Sequence, residues 1–178
     1  MFWNSSVETT IVHTTLSAVP RLAEEIQQRV PFAGPEVEAY LNLQRSADVL
    51  RREAVELLKP FGLSPTGYNV LRILRGAGSE GLPCHEVSNR LVAHDPDVTR
   101  LADRLAEAGL LTRERRPRDR RVVVLRITAD GLGLLHRIDP QTVALHRRQL
   151  SHLGETSLDS LIRLLEQART PIPTLEIP

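Results

Sequence analysis

The chain has 178 residues, a length that holds one domain, or one compact domain with added helices, and excludes two large domains. Its 23 basic and 22 acidic residues leave a formal net charge of +1, so any polyanionic partner must meet a local cluster of charge. Aromatic residues make up 3% of the chain, which argues against a platform that stacks single-stranded bases.

Cysteine content and hydropathy indicate the compartment. The single cysteine, Cys84, excludes an internal disulfide and a multi-cysteine zinc site, and is typical of a reducing cytoplasm. The first residues lack a basic segment, and the uncharged stretch 9–20 is too short to span a bilayer. We therefore expect a cytoplasmic protein without a membrane anchor.

Motifs for metal binding and catalysis are missing from the sequence. His136, His146 and His152 are separated by ten and six positions, which does not place a pair on one helix turn, so we expect no metal site. A glycine-rich phosphate loop and a nucleophile motif are also missing. We expect neither enzymatic activity nor a cofactor.

Helices dominate the first part of the chain. Apolar residues recur at helical spacing over 16–30 and over 36–59, which predicts two helices. The apolar stripe of the second is wider than one partner face requires, so we expect it to serve both the core and a subunit interface. Ser64-Pro65 predicts the start of a third helix, which stops at 76–78.

A pair of short helices follows. The pattern predicts a helix over 82–91, a turn, and a helix over 96–108 that Asp95 caps and Gly109 ends. In the second helix, apolar side chains at 98, 101, 102 and 105 share one face, which leaves Thr99, Arg100 and Arg104 on the other. This order is typical of a helix-turn-helix.

A basic hairpin comes directly after it. Residues 110–115 and 122–128 are predicted strands, joined by a loop rich in arginine. Over residues 100–126, nine arginines face four acidic residues, a local charge of +5 between acidic flanks. Two more helices are predicted, one from Thr128 to Gln149 that Pro140 should kink or divide, and one over 155–169.

A helix-turn-helix joined to a basic hairpin suits duplex DNA. The second helix fits the major groove, and an arginine of the hairpin can enter the adjacent minor groove. The fold class is therefore mainly α with a small β-hairpin wing, a winged helix-turn-helix DNA-binding core with added helices. A protein-interaction module with weakened or lost DNA binding is the alternative.

The sequence resembles the MarR family of winged helix-turn-helix regulators. The resemblance rests on VTRLADRLAEAGLL at 98–111, RERR at 113–116, DRR at 119–121 and LRITADG at 125–131. It implies a homodimeric transcription factor on a pseudo-palindromic duplex operator, usually a repressor relieved by a small phenolic or aromatic ligand or by cysteine oxidation. We expect DNA binding from residues 61–127, dimerisation from 36–60 and 128–169, an extension with one amphipathic helix at 1–35, and a tail at 170–178.

The resemblance also assigns roles to single residues. Arg121 matches the wing arginine that enters the minor groove, and Asp119 matches the acid that holds the wing arginines in position. Thr99 and Arg100 match positions near phosphates or bases. The expected DNA contacts are Thr99, Arg100, Arg104, Arg113, Arg118, Asp119, Arg120 and Arg121.

Two acidic residues depart from the family pattern, because Asp95 and Asp97 stand where small hydroxyl or basic residues are common. Their carboxylates repel phosphate, although Asp can accept a hydrogen bond from cytosine N4 and can cap a helix. They are the main support for the interaction-module alternative.

Two further hypotheses concern regulation. Tyr40, Leu43, Tyr68 and His146 are candidates for an effector pocket, with core or interface packing as the alternative. Cys84 is a candidate redox sensor beside His85, with a small core residue as the alternative, since no second cysteine is present to resolve an oxidised thiol.

Overall fold

A computed structural model describes residues 21–116 and 119–170. For residues 119–121 it describes the backbone alone. The chain divides into two compact units, one ending at Ser46 and the other beginning at Ala47. No helix in the described part of the chain is long and apolar enough to cross a membrane.

The first unit contains helix α1, Leu22–Glu25, and the first half of α2, Pro35–Leu58. The predicted helix over 16–30 is wrong beyond Glu25, and its residues 16–20 lie outside the described residues. The chain leaves the helix because Gln27 adopts a left-handed conformation with φ 54°. Ile26 and Val30, two apolar residues of the predicted helix, are exposed.

The second unit begins with the rest of α2. A short 3-10 turn, Lys59–Phe61, and Gly62 in the left-handed region redirect the chain. The Ser64 hydroxyl then accepts a hydrogen bond from the Gly67 N–H at 3.0 Å and starts α3, Pro65–Ala77. This confirms the cap predicted from Ser64-Pro65.

A three-stranded antiparallel sheet with the order β1-β3-β2 forms the next part. The strands are β1 (Leu82–Pro83), β2 (Leu111–Arg116) and β3 (Asp119–Ile127). The hairpin of β2 and β3 is confirmed, and its register shifts between Arg115 and Arg116, as in a β-bulge.

The start of the predicted helix over 82–91 is wrong. Residues 82–83 pair with Leu125 and Val124 as β1, and helix α4 spans only Cys84–Asn89. Gly81 directs the chain onto the sheet, because it adopts φ 66° and a Cβ there would lie 2.2 Å from the Leu125 carbonyl oxygen. Two residues are too short a strand to leave a period in the sequence.

Three helices complete the described part: α5 (Val98–Glu107), α6 (Ala129–Leu150) and α7 (Glu155–Ala168). The Thr128 hydroxyl accepts from the Gly131 N–H at 3.1 Å, which confirms Thr128 as the cap of α6. Pro140 lies inside α6 and does not divide it. Leu135 and Ile138 before the proline and Leu145 after it are all buried, so packing holds α6 together across the missing N–H.

The core of the second unit lies between α3, α5, α6 and the sheet. Its fully buried side chains include Val70, Leu71 and Leu74 of α3 and Leu125 of β3. Burial of such side chains stabilises the fold by about 1.5–3 kcal/mol each. The core holds α5 and the hairpin in fixed positions.

Candidate nucleic-acid interface

Helix α5 presents a charged face to solvent. Val98, Leu101, Ala102 and Leu105 are buried, as the helical period predicts, while Thr99, Arg100 and Arg104 are exposed. Because successive turns bring residues three and four apart together, the exposed residues form one continuous face.

The start of α5 differs from the prediction. The helix begins at Val98, and Asp97, not Asp95, occupies the N-cap position. The Asp97 side chain makes no capping hydrogen bond. Asp95 instead accepts from the Asp97 N–H at 2.9 Å and so forms the turn that leads into the helix.

The Asp97 carboxylate turns towards Arg100. Its Oδ2 lies 3.6 Å from Arg100 Nη1, one helical turn away, and the side chain of Arg100 is 82% exposed. The sequence showed both charges, but their pairing was not predicted. Their spacing of three residues on a helix is the signal that could have found it.

Strand β2 adds a second set of charged side chains. All residues from 112 to 116 are exposed. Arg113 forms an ion pair with Asp103 of α5, and Arg126 of β3 donates to Glu114 at 2.6 Å and to the Ser79 carbonyl oxygen at 3.1 Å. Arg104, Arg115 and Arg116 have no ion pair with any side chain that the structure describes.

The ion pair between Arg113 and Asp103 joins the helix to the hairpin. The face of α5 and the arginines of β2 therefore belong to one surface of the second unit. Arg118 lies outside the described residues, as do the side chains of Asp119, Arg120 and Arg121, so their predicted contacts stay predictions.

The charge of this surface is unevenly distributed. Residues 98–110 carry two arginines and two acidic residues, which cancel. Residues 111–127 carry seven arginines and two acidic residues, so the whole local charge of +5 belongs to the hairpin. Positive charge that attracts phosphate is concentrated in the wing.

A cavity of about 470 Å³ lies between α4, the start of α5 and the sheet. Its lining includes Cys84, Asp95, Thr99 and Arg113. Cys84 is half-buried and packs against the core, which agrees with the packing alternative and leaves the redox hypothesis a prediction.

The candidate effector residues fall in different parts of the chain. Tyr40 and Leu43 belong to the first unit and are exposed. In the second unit, Tyr68 is buried, and exposed His146 pairs through Nδ1 with Gln149 Oε1 at 3.2 Å. The effector pocket stays a prediction.

Tyr68 belongs to a polar network between α3 and α6 that the sequence did not indicate. Its hydroxyl donates to Asp139 Oδ1 at 2.6 Å and lies 3.0 Å from Thr142 Oγ1. Arg75 donates to the other oxygen of Asp139. The Arg72 guanidinium lies over the Tyr68 ring, 5.7 Å from its centre.

The network shifts the pKa of two groups. Burial, together with the hydrogen bond to the Asp139 carboxylate, raises the pKa of Tyr68 above its ordinary value. Burial alone would raise the pKa of Asp139, but hydrogen bonds from Tyr68 and Arg75 outweigh it and lower that pKa. The folded protein thus favours a neutral tyrosine and an ionised aspartate.

Comparison with known proteins identifies the family. The MarR family model matches residues 63–123. The chain is 31% identical over 144 residues to YkoM of Bacillus subtilis, an uncharacterized HTH-type transcriptional regulator. The aligned region covers 79% of this chain and 92% of YkoM. The chain is 32% identical over 119 residues to the HTH-type transcriptional repressor IacR of Pseudomonas putida, covering 67% and 70% of the two chains.

Solved structures similar to this chain include members of the same family. A MarR transcription factor from Planctomyces limnophilus is 41% identical, with a TM-score of 0.61 over 77% of this chain and 99% of its own. Two more distant structures share the fold. Sco3205 of Streptomyces coelicolor, solved in complex with DNA, is 19% identical with a TM-score of 0.67, and covers 81% of this chain and 94% of its own. BpsR of Bordetella bronchiseptica, whose DNA binding is regulated by 6-hydroxynicotinic acid, is 21% identical with a TM-score of 0.69, and covers 80% and 100%.

The winged helix-turn-helix fold with its basic hairpin and the similarity to these relatives indicate the same family. The chain belongs to the MarR family of DNA-binding transcriptional regulators and is not an enzyme.

Proposed function

We propose that the protein is a homodimeric repressor that binds a pseudo-palindromic duplex operator and releases it when a small aromatic ligand binds. Residues 61–127 bind DNA, and residues 36–60 and 128–169 form the dimer. The observation that carries the DNA-binding part is the ion pair between Asp103 of α5 and Arg113 of β2, which joins helix and wing into one surface. Repression is supported by the name of IacR.

In this proposal α5 enters the major groove, and the wing lies along the adjacent minor groove. Thr99, Arg100 and Arg104 face the bases and the nearby phosphates. Arg118, Arg120 and Arg121 supply the charge at the wing tip, with Asp119 holding them in position. In a dimer the two α5 helices meet successive major grooves, roughly 34 Å apart.

The dimer is supported by apolar surface on α7. None of the 14 residues of this helix is buried, although Leu161, Ile162 and Leu164 are large and apolar. Clusters of exposed apolar side chains mark interaction surfaces. Val49 and Val55 of α2, also in the second unit, are exposed apolar side chains as well.

Sedimentation equilibrium tests the dimer. The wild type is expected at twice the 19.9 kDa chain mass. Ile162→Asp places a charge in the apolar surface and is expected to shift the protein towards monomer. Thr156→Asp adds the same charge to an exposed polar position of α7 and is expected to remain dimeric. A monomeric wild type would contradict the proposal.

Selection from a random duplex pool tests operator and ligand together. The bound sequences are expected to show two related half-sites about one helical turn apart. A panel of phenolic and other aromatic acids then competes with the selected duplex, since BpsR responds to an aromatic acid. Bound sequences without repeated half-sites would contradict the dimeric operator, and a panel without effect would contradict ligand release.

A further inference from the structure

We propose that Asp97 is a specificity-determining residue, which together with Arg100 selects a C·G base pair in each operator half-site. The inference rests on the proposed function, because it requires α5 to lie in the major groove. It concerns which sequence is read and not whether DNA is bound.

The first step is that Asp97 is free of the structural role that its position would give it. An aspartate at an N-cap commonly accepts a hydrogen bond from the second or third N–H of its helix. Asp97 makes no such bond, and Asp95 supplies the turn before the helix through its 2.9 Å contact with the Asp97 N–H. Capping therefore does not account for this carboxylate.

The second step is the position of the carboxylate. Half of the Asp97 side chain is exposed, and its Oδ2 lies 3.6 Å from Arg100 Nη1. The two charges border a surface depression of about 380 Å³ with Asp103 and Arg104. Residues at the start of a recognition helix are those that reach base edges. The carboxylate and the guanidinium thus stand side by side on the face that would meet the bases.

The third step is chemical complementarity. In the major groove a C·G pair offers a donor at cytosine N4 beside acceptors at guanine O6 and N7. A carboxylate accepts from the first, and a guanidinium donates to the second. The pair also orients both side chains before binding, which reduces the ordering cost.

The fourth step is the penalty at other sites. A carboxylate that finds only phosphate or base acceptors is repelled and desolvated without compensation. Residues 95–107 carry two arginines and four acidic residues, so α5 and its approach weaken binding to unrelated DNA while the wing supplies attraction. Asp97 therefore contributes to sequence selection partly by weakening binding to sites that offer its carboxylate no hydrogen-bond donor.

The test compares selections from one random duplex pool by the wild-type chain, Asp97→Ala and Asp97→Asn. The wild type is expected to fix a C·G pair at one position of each half-site. Asp97→Ala is expected to make that position degenerate, and Asp97→Asn is expected to move it towards adenine, which an amide recognises. Anisotropy on the operator and on a duplex with that pair replaced should show roughly 5- to 100-fold discrimination by the wild type, lost in Asp97→Ala.

Glu107→Gln is the matched control, because it removes one negative charge from the exposed end of α5 far from the helix start. It is expected to select the wild-type sequence. Thermal unfolding checks that each variant is folded.

If Asp97→Ala selects the wild-type sequence with unchanged discrimination, the inference is overturned and the proposed function stands. A wild-type motif without a fixed C·G pair also overturns it. If the wild type binds no duplex at all, the proposed function fails with it.

Discussion

Tyr68 and Asp139 lie 71 positions apart in the chain, and a 2.6 Å hydrogen bond joins their side chains. Tyr68 is buried, and the Arg72 guanidinium lies over its ring. Arg75 forms an ion pair with Asp139. A buried tyrosine hydroxyl needs such partners, since leaving it without a hydrogen bond would cost about 1–3 kcal/mol. The network therefore fixes α3 to α6 in one orientation.

The lowered pKa of Asp139 predicts a pH dependence of stability. An aspartate with a folded pKa below its unfolded value, near 3.8, stabilises the fold above that value and stops doing so as pH falls through the folded pKa. The difference in free energy of unfolding between the wild type and Asp139→Asn is thus expected to be largest near pH 6 and to shrink below pH 4. Urea unfolding over this range measures it.

A control separates this network from ordinary surface pairs. Glu86→Gln removes the exposed pair with Arg90, which is expected to be worth less than about 1 kcal/mol. A difference between wild type and Asp139→Asn that stays constant from pH 6 to pH 3 would rule out the ionised Asp139 as the stabilising form.

These contacts could not be predicted from the sequence. Tyr68, Asp139 and Thr142 carry no periodic signal, and the contacts of Tyr68 with the other two span more than 70 positions. The pair of Asp97 and Arg100 is different, because both lie at the start of α5 and their spacing of three residues brings them together. Local spacing predicts pairs within an element, whereas pairs between elements require the fold.

Gly131 lies where α6 closely approaches the loop before β2. A Cβ at this position would lie 2.3 Å from the Leu110 carbonyl oxygen and 2.8 Å from Ile127 Cγ1. Gly131→Ala is therefore expected to destabilise the protein by about 1–3 kcal/mol, although alanine normally favours a helix. Thermal or urea unfolding measures the change.

Gly133 provides the matched comparison in the same helix. Nothing lies within 4 Å of a Cβ at this position, so Gly133→Ala is expected to stabilise the fold by about 0.5–1 kcal/mol. Equal effects of the two substitutions would show that helix propensity, and not the close approach to Leu110, decides the outcome.

The ion pair between α5 and β2 leads us to predict a change in DNA affinity opposite to the change that charge alone would cause. Asp103→Asn removes a negative charge from the surface that we propose meets DNA, which by charge alone would raise affinity. It also breaks the ion pair that holds Arg113 against α5. We expect operator affinity to fall, because the wing is no longer fixed to the helix, and the free energy of unfolding to fall by about 1 kcal/mol.

Glu107→Gln again serves as the control, since Glu107 has no ion pair among the described side chains. It is expected to leave stability within about 0.5 kcal/mol and to raise affinity slightly. Anisotropy measures both variants, and a rise in affinity for Asp103→Asn equal to that of the control would refute the structural role of the pair.

Most elements were predictable because each carries a local signal. The periods of α2, α3 and α5, the caps at Ser64 and Thr128, and the hairpin all follow from neighbouring residues. Other predictions were wrong. Residues 82–83 join a sheet, residues 26–30 leave their helix at Gln27, and Pro140 does not divide α6, whereas the kink predicted there stays a prediction.

The net charge of +1 conceals a division between a basic hairpin and acidic flanks. The wing carries the local charge of +5, and the exposed face of α5 is neutral. We infer that the wing supplies most of the salt-dependent attraction to phosphate and that α5 supplies the choice of sequence. This asymmetry was predictable from the sequence, because the predicted hairpin over 110–128 already contains the same seven arginines and two acidic residues.

The salt dependence of DNA binding tests this division most directly. Anisotropy titrations of the selected operator duplex with the wild type and with Arg121→Ala, over a series of salt concentrations, give the slope of log affinity against log salt. The wild type is expected to lose affinity steeply with salt, and Arg121→Ala is expected to have a slope smaller by about one unit per protomer. Absence of binding at low ionic strength, or the same slope for both proteins, would contradict DNA binding through a basic wing.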